Sequence, residues 1–193
     1  MYFKGLVLAM CVFLFALTGC SILSPDHSKQ EINQSNASEP EAIAVTDAAA
    51  VKSVDIVNAE GKKIGVASLR EEKNGVQVQI EVSGLKPGNH GFHIHEKAFK
   101  DTDFASAGAH FNPTNKEHGL KNPKGPHIGD MNNLKVKEDG TAIQTEFIDM
   151  ASLKQGHPNS LLGKSIIIHA GEDDQMSNPA GNSGDRVAGG NIM

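Results

Sequence analysis

Cysteine is nearly missing from this sequence: of 193 residues only Cys11 and Cys20 are cysteines, and both lie close to the start. Beyond residue 20 there is no thiol, so an internal disulfide is excluded and any domain there must be held by burial or by something it binds. Basic charge is in deficit too. Eighteen Lys and Arg stand against 23 Asp and Glu, a net charge of −5, which argues against a nucleic-acid protein and against adhesion to a membrane through a basic patch. The one long apolar run, Gly5 to Leu17, is short of the roughly 20 residues that a helix needs to cross a bilayer. No later stretch carries a convincing helical period, and 193 residues leave room for one core rather than two.

What is present at the start is a single basic residue, Lys4, the apolar run, and Leu17-Thr18-Gly19-Cys20. This order reads as an export leader over residues 1–19. Its ending resembles the lipobox of bacterial lipoproteins, which implies a lipid on Cys20 and a tether to the cell membrane, outside the cytoplasm. The plainer reading is a secreted protein whose leader contains a cysteine. Residues 20–50, rich in Ser, Asn, Glu, Pro and Ala, have no sustained apolar period and read as a disordered linker that carries the solitary His27.

From Val51 the pattern becomes one of alternation. Val51 to Val57, the turn Asn58 to Gly61, and Ile64 to Leu69 form a predicted hairpin. In Val76 to Val82 apolar residues alternate strictly with Gln and Glu, the mark of a strand with one buried face. Further strand-like runs are Gly91 to His95, Leu134 to Val136, Ala142 to Ile148 and Ser165 to His169. Two long segments rich in Gly, Asn, Pro and His, 96–133 and 170–190, separate them. The expectation over 51–193 is an all-β antiparallel sandwich or flattened barrel with two long functional loops, held by some ligand.

The histidines point to that ligand. Seven of the nine fall in motifs: His90, His93, His95, His110, His118, His127 and His169. Side chains alternate across a strand, so His93 and His95 share a face and both imidazoles can reach one ion. Imidazole suits copper and zinc. A lone His-X-His pair is equally compatible with two core histidines. The following loop shifts the balance, because His110, His118, His127 and Asp130 supply the nitrogen and oxygen ligands of a four-coordinate zinc site. A Gly/Pro-rich loop buries too little to hold itself, so the ion would contribute its folding energy.

Several stretches together resemble the copper,zinc superoxide dismutase family: Asn89 to Glu96, Ser106 to Pro113, His118-Gly119, His127 to Asp130, Leu162 to His169, Asp173-Asp174 and Gly181 to Arg186. Their order and spacing agree from about Val51 onward. The resemblance implies a Greek-key antiparallel β-sandwich and a superoxide dismutase with copper cycling by one electron beside a structural zinc. It assigns His93, His95, His110 and His169 to copper, and His110, His118, His127 and Asp130 to zinc. His110 would then bridge the metals and handle a proton. Asp173 would orient one histidine on each metal, His90 would support the copper ligands, and Arg186 would guide the anion. The alternative for Arg186 is a loop arginine paired with Asp185 or Asp130.

Two departures stand out. The family's usual disulfide is absent, with no cysteine near Lys100 and glycine at Gly189 and Gly190 where its partner is expected, which bears on loop rigidity. A homodimer is compatible with the resemblance, and no local pattern marks its interface. The rival function is an extracytoplasmic copper/zinc-binding lipoprotein without turnover. His157 matches no ligand position and reads as a turn residue.

Overall fold

The computed structural model describes residues 51–193. The expected leader, lipidated Cys20 and linker lie outside the described residues. Nine strands follow in chain order: β1 (Val51–Asn58), β2 (Lys63–Glu72), β3 (Gly75–Val82), β4 (Gly88–His90), β5 (Phe92–His95), β6 (Leu134–Val136), β7 (Ala142–Asp149), β8 (Lys164–His169) and β9 (Arg186–Ile192). Seven pair antiparallel in the order β5-β8-β9-β1-β2-β3-β7, while β4 pairs with β6. The all-β expectation holds, and the last strand returns beside the first.

Local chemistry accounts for most of this. The β1–β2 turn closes because the Asn58 side chain accepts from the backbone N–H groups of Glu60 and Lys62, at 3.1 and 3.0 Å, a side-chain imitation of a backbone turn. In β3, Val76, Val78, Ile80 and Val82 are buried while Gln79 and Glu81 are exposed, so a slip of one residue would place the apolar set in water. The core joins Val54, Ile56, Leu69, Phe92, Ile94, Leu134, Ile166, Ile168 and Ile192. Removing any one of the large side chains would cost about 2–5 kcal/mol, and with no cysteine among the described residues this packing carries the stability of the sheet.

Strands β5 and β8 are buried on both faces, and their alternation divides labour. Phe92, Ile94, Ile166 and Ile168 enter the main core, whereas His93, His95 and His169 occupy the opposite face with Ile167. The site is therefore built directly on the rigid sheet.

One expectation fails. Residues 186–190 read as the end of a loop but form the first part of β9, paired with β8 and β1. Gly189-Gly190 hid the strand, since glycine has little preference for extended structure. Its presence follows from crowding: a Cβ on Gly190 would stand 2.5 Å from the Asp55 carbonyl oxygen and 2.6 Å from Val54 Cγ1. Arg186 thus starts from a strand.

Candidate metal centre

The segment after β5 folds back along that strand. Ile94 N–H donates to the Gly129 carbonyl at 2.8 Å, Phe111 N–H to the Ile94 carbonyl at 2.9 Å, and Glu96 N–H to the Ala109 carbonyl at 2.9 Å. These bonds pin His110 opposite His95 and Asp130 opposite His93. Residues far apart in sequence thereby converge, and all of the expected ligands are buried.

Two groups of four result. His93, His95, His110 and His169 present one ligand atom each within 4.8 Å of one another, and so do His110, His118, His127 and Asp130. Among these groups of four, His110 is the shared member. A third group, His93, His118 and Asp173, lies across the same region.

The hydrogen bonds decide which nitrogens are free to ligate. His95 Nδ1 donates to the Gly108 carbonyl and His169 Nδ1 to the Gly184 carbonyl, each at 3.0 Å. A neutral imidazole has one N–H, so both Nε2 atoms carry lone pairs, and they face each other at 3.4 Å. Two lone pairs at that distance repel unless a cation lies between them. His93 Nε2 meets Asp173 Oδ2 at 2.7 Å, leaving its Nδ1 without a partner, and His110 Nε2 is likewise unpartnered. Buried polar atoms are rarely left orphaned. This donor set fits a metal ion that takes imidazole nitrogen.

The other group fits zinc. Asp130 Oδ1 stands 2.9 Å from His110 Nδ1, 3.1 Å from His118 Nδ1 and 3.2 Å from His127 Nδ1, the last without the alignment of a hydrogen bond. Zinc ligands at about 2.0–2.1 Å in a tetrahedron are roughly 3.3 Å apart. Oδ2 of the same carboxylate accepts from Gly119 N–H at 2.8 Å and His127 N–H at 3.0 Å, which fixes its orientation.

Burial and neighbours set the protonation states. Burial is the largest influence on His93, His95 and His169, and it depresses them to about 3, about 2 and about 4, against an ordinary 6.5. The buried Asp173 carboxylate opposes the shift at His93 through its hydrogen bond, without reversing it. His110 is lowered by burial as well. His118 goes the other way. Burial would lower it, but hydrogen bonds to Asp130 and Asp173 outweigh that and raise it to about 9. Burial also opposes ionisation of Asp130 and Asp173, yet their histidine partners hold both well below the usual carboxylate range.

Asp173 sits where expected, with Oδ2 on His93 and Oδ1 3.0 Å from His118 Nε2. His90 is no ligand. Its Nδ1 lies 2.7 Å from the His169 carbonyl and its Nε2 2.8 Å from the Lys86 carbonyl, so it braces the backbone of His169. Arg186 pairs with neither Asp185 nor Asp130; its guanidinium donates to the carbonyls of Phe104 at 2.6 Å, Ala105 at 3.3 Å and Gly108 at 2.7 Å. With His95, His110, His127, His169 and Asn112 it lines an open cleft of about 270 Å³. His157 is exposed in a turn.

Sequence reasoning missed several contributors. Asn133 holds the main chain of Asp173, and Asn178 Oδ1 accepts from His118 N–H at 2.8 Å. The Gly108 carbonyl serves His95 and Arg186 together. Carbonyls leave no mark in a sequence, since every residue has one. Asn133 follows Asp130 by three residues, and that nearness to the loop is the one signal it carries in the sequence.

The geometry agrees with what the chain resembles. The family model described as copper/zinc superoxide dismutase (SODC) matches residues 63–192. Superoxide dismutase (Cu-Zn) 1 of Aquifex aeolicus (strain VF5) is 46% identical over 139 residues, covering 69% of this chain and 82% of that protein. The superoxide dismutase-like protein YojM of Bacillus subtilis (strain 168) is 37% identical over 194 residues, covering 97% and 95%. Among solved structures, a SOD-like protein from Bacillus subtilis superposes with a TM-score of 0.70 at 41% identity, over 74% of this chain and 98% of that one. The Cu/Zn superoxide dismutase from Brucella abortus superposes with a TM-score of 0.60 at 28% identity, over 75% and 100%.

Proposed function

We propose that this chain, which belongs to the copper/zinc superoxide dismutase family, converts two superoxide anions and two protons to dioxygen and hydrogen peroxide in the cleft between His169 and Arg186. Copper would be held by His93, His95, His110 and His169, and zinc by His110, His118, His127 and Asp130. The observation that carries this reading is His110, common to both groups of four. A simple storage site has no need of a shared ring.

When bound, copper supplies a one-electron couple that is oxidised and reduced in alternate half-reactions, while zinc is redox-inert and structural. The chain supplies the rest. Arg186 is always protonated and places a positive charge in the cleft, which raises the local concentration of a small anion. The depressed basicity of His93, His95 and His169 keeps their nitrogens available to ligate rather than to bind protons. His110 Nε2, unpartnered and beside the cleft, is the atom suited to hold a proton and pass it to the peroxide product, while Asp130 keeps the other side of the ring in place.

Stopped-flow measurement of superoxide loss by the purified, copper- and zinc-loaded protein tests this. The expected result is fast second-order consumption that His110→Ala abolishes. The relative that spans nearly the whole chain is named superoxide dismutase-like, and this favours a second reading, a copper/zinc-binding lipoprotein without turnover. Full metal loading with no superoxide consumption would select it.

The location follows from the leader. Leu17-Thr18-Gly19-Cys20 would place a diacylglyceryl group on Cys20 and tether the domain outside the cytoplasm, since two acyl chains suffice for stable anchoring. Labelled fatty acid should enter the wild-type chain, and Cys20→Ser should release it from the membrane; a Cys20→Ser protein that stays membrane-bound overturns the assignment.

A further inference from the structure

We infer that Phe104 is a positioning residue for Arg186, acting through its own main-chain carbonyl, and that an aromatic pair with Phe99 performs the anchoring that a covalent bridge would otherwise give. This rests on the reading of Arg186 as the group that draws the anion into the cleft.

The three carbonyls that receive the Arg186 guanidinium belong to one short 3₁₀ helix, Phe104–Ala107, and to Gly108 just after it. A helix of four residues does not hold itself in place. Hydrogen bonds from Lys97 N–H to the Ala107 carbonyl and from Lys100 N–H to Ser106 Oγ hold its far end, and the end that carries the first carbonyl is anchored by Phe104, 4% exposed, whose ring meets Phe99 edge to face with centroids 4.9 Å apart and planes at 81°. Both rings pack with Ala107 and Ile167 in a small core separate from the main one, with Val57 against it. Pairs of this geometry add about 0.5–1.5 kcal/mol beyond their burial.

Phe99 is anchored in turn. The Asn191 side chain accepts from Phe99 N–H and donates to the Phe99 carbonyl, each at 2.9 Å, and Asn191 lies on β9. A Cβ on Gly189 would come within 3.1 Å of Phe99 Cε1 and 2.9 Å of Ile167 Cδ1. The tightest approach is to the Ile166 carbonyl oxygen, at 2.7 Å, so the glycine on that strand leaves room for its β8 neighbours and for Phe99 together, whereas Lys100 next to Phe99 is exposed. The contacts form a closed circuit: β9 holds Phe99 through Asn191, Phe99 holds Phe104, and the Phe104 carbonyl holds Arg186, the first residue of β9. The Gly108 carbonyl extends it to the copper-side ligand, because it also accepts from His95 Nδ1. Truncating Phe104 should therefore loosen the guanidinium while leaving the ligand nitrogens on their strands.

The test is a double-mutant cycle on the metal-loaded enzyme with Phe104→Ala, Arg186→Ala and the pair. If Phe104 works through Arg186, Phe104→Ala lowers kcat/KM about tenfold and flattens its ionic-strength dependence, and adding it to Arg186→Ala costs almost nothing further. Copper and zinc content should stay at the parent level, and Phe104→Leu, which keeps most of the bulk, should recover most of the loss. A second measurement needs no activity: solvent exchange of the Arg186 guanidinium protons, followed by NMR in the metal-free protein, should accelerate at least about tenfold in Phe104→Ala. Should that variant fail to fold, Phe104→Leu is measured in its place, with an expected acceleration of about threefold. Additive losses in the cycle, or unchanged guanidinium exchange, overturn the inference. If the parent enzyme consumes no superoxide, the functional reading falls and the exchange measurement alone decides the role of Phe104.

Discussion

Asn133 faces the main chain of Asp173 as a neighbouring strand would, its side-chain amide donating to the Asp173 carbonyl at 2.8 Å and its Oδ1 accepting from Asp173 N–H at 2.8 Å. The two residues are 40 apart in sequence, and the pair ties the end of the ligand loop to the segment that carries the carboxylate. Asp173 then reaches His93 with one oxygen and His118 with the other.

Replacing Asn133 by Ala should therefore act on metals it never touches. Two hydrogen bonds to a part-buried main chain are lost, worth about 1 kcal/mol each, and the carboxylate gains freedom. Chelator competition should show zinc held roughly tenfold more weakly, with superoxide chemistry less affected than zinc retention. An affinity equal to the parent's would show that Asp173 is held by other contacts.

Asp173→Asn tests the carboxylate itself. It preserves shape but cannot accept from both ring nitrogens as the two oxygens of a carboxylate do, because the amide nitrogen only donates. Either His93 or His118 then loses its orienting partner, and the affected metal should bind about 10–100-fold more weakly. Titration with each metal in turn, read by calorimetry, identifies which histidine is released; parent-level affinity for both metals would remove Asp173 from this role.

Acid should destabilise the metal-free protein earlier than carboxylate titration alone predicts. The folded values of His93, His95 and His169 lie near 3, 2 and 4 against an ordinary 6.5, so below pH 6.5 the unfolded chain binds protons that the folded chain refuses. Stability from these groups is complete above 6.5 and falls as pH drops, by on the order of 1 kcal/mol per pH unit for each. Asp130 and Asp173, held low in the fold, add a further loss only at still lower pH. His118 has the opposite sign: raised to about 9, its contribution is full below 6.5 and is lost as pH rises through 9. Melting temperature against pH should peak near neutrality with the steeper limb on the acid side, and a flat profile from pH 7 to 4 would contradict the burial argument.

Gly181→Ala should disturb the centre from outside it. At φ 61° a Cβ there is strained, and it would fall 1.6 Å from Asp173 Oδ1 and 2.9 Å from His118 Nε2. The side chain would have to displace the clamp. The expected outcome is a drop in zinc content with the β-strand circular dichroism signal intact, whereas unchanged zinc content would mean that the segment shifts freely.

The strands that alternate, β3 above all, were legible because period-two burial is written directly into residue order, as in Val76, Val78, Ile80 and Val82. The candidate ligand set was legible for a related reason: imidazole is a rare group, with nine histidines in 193 residues, and His93-Ile94-His95 on one strand followed by His110, His118, His127 and Asp130 has few other uses. β9 was not, because Gly189 and Gly190 answer to crowding from Asp55, Val54 and Phe99, which are remote in the chain. Residue types and their local period thus determined an all-β domain and the candidate metal-binding groups that it brings together. Only the tertiary fold decided which nitrogen of each histidine is free, that His110 belongs to both groups, and that Arg186 rests on the carbonyls of Phe104 and Gly108. Those are questions of which backbone oxygen meets which N–H across long sequence separations, and the main chain carries the same oxygen at every residue.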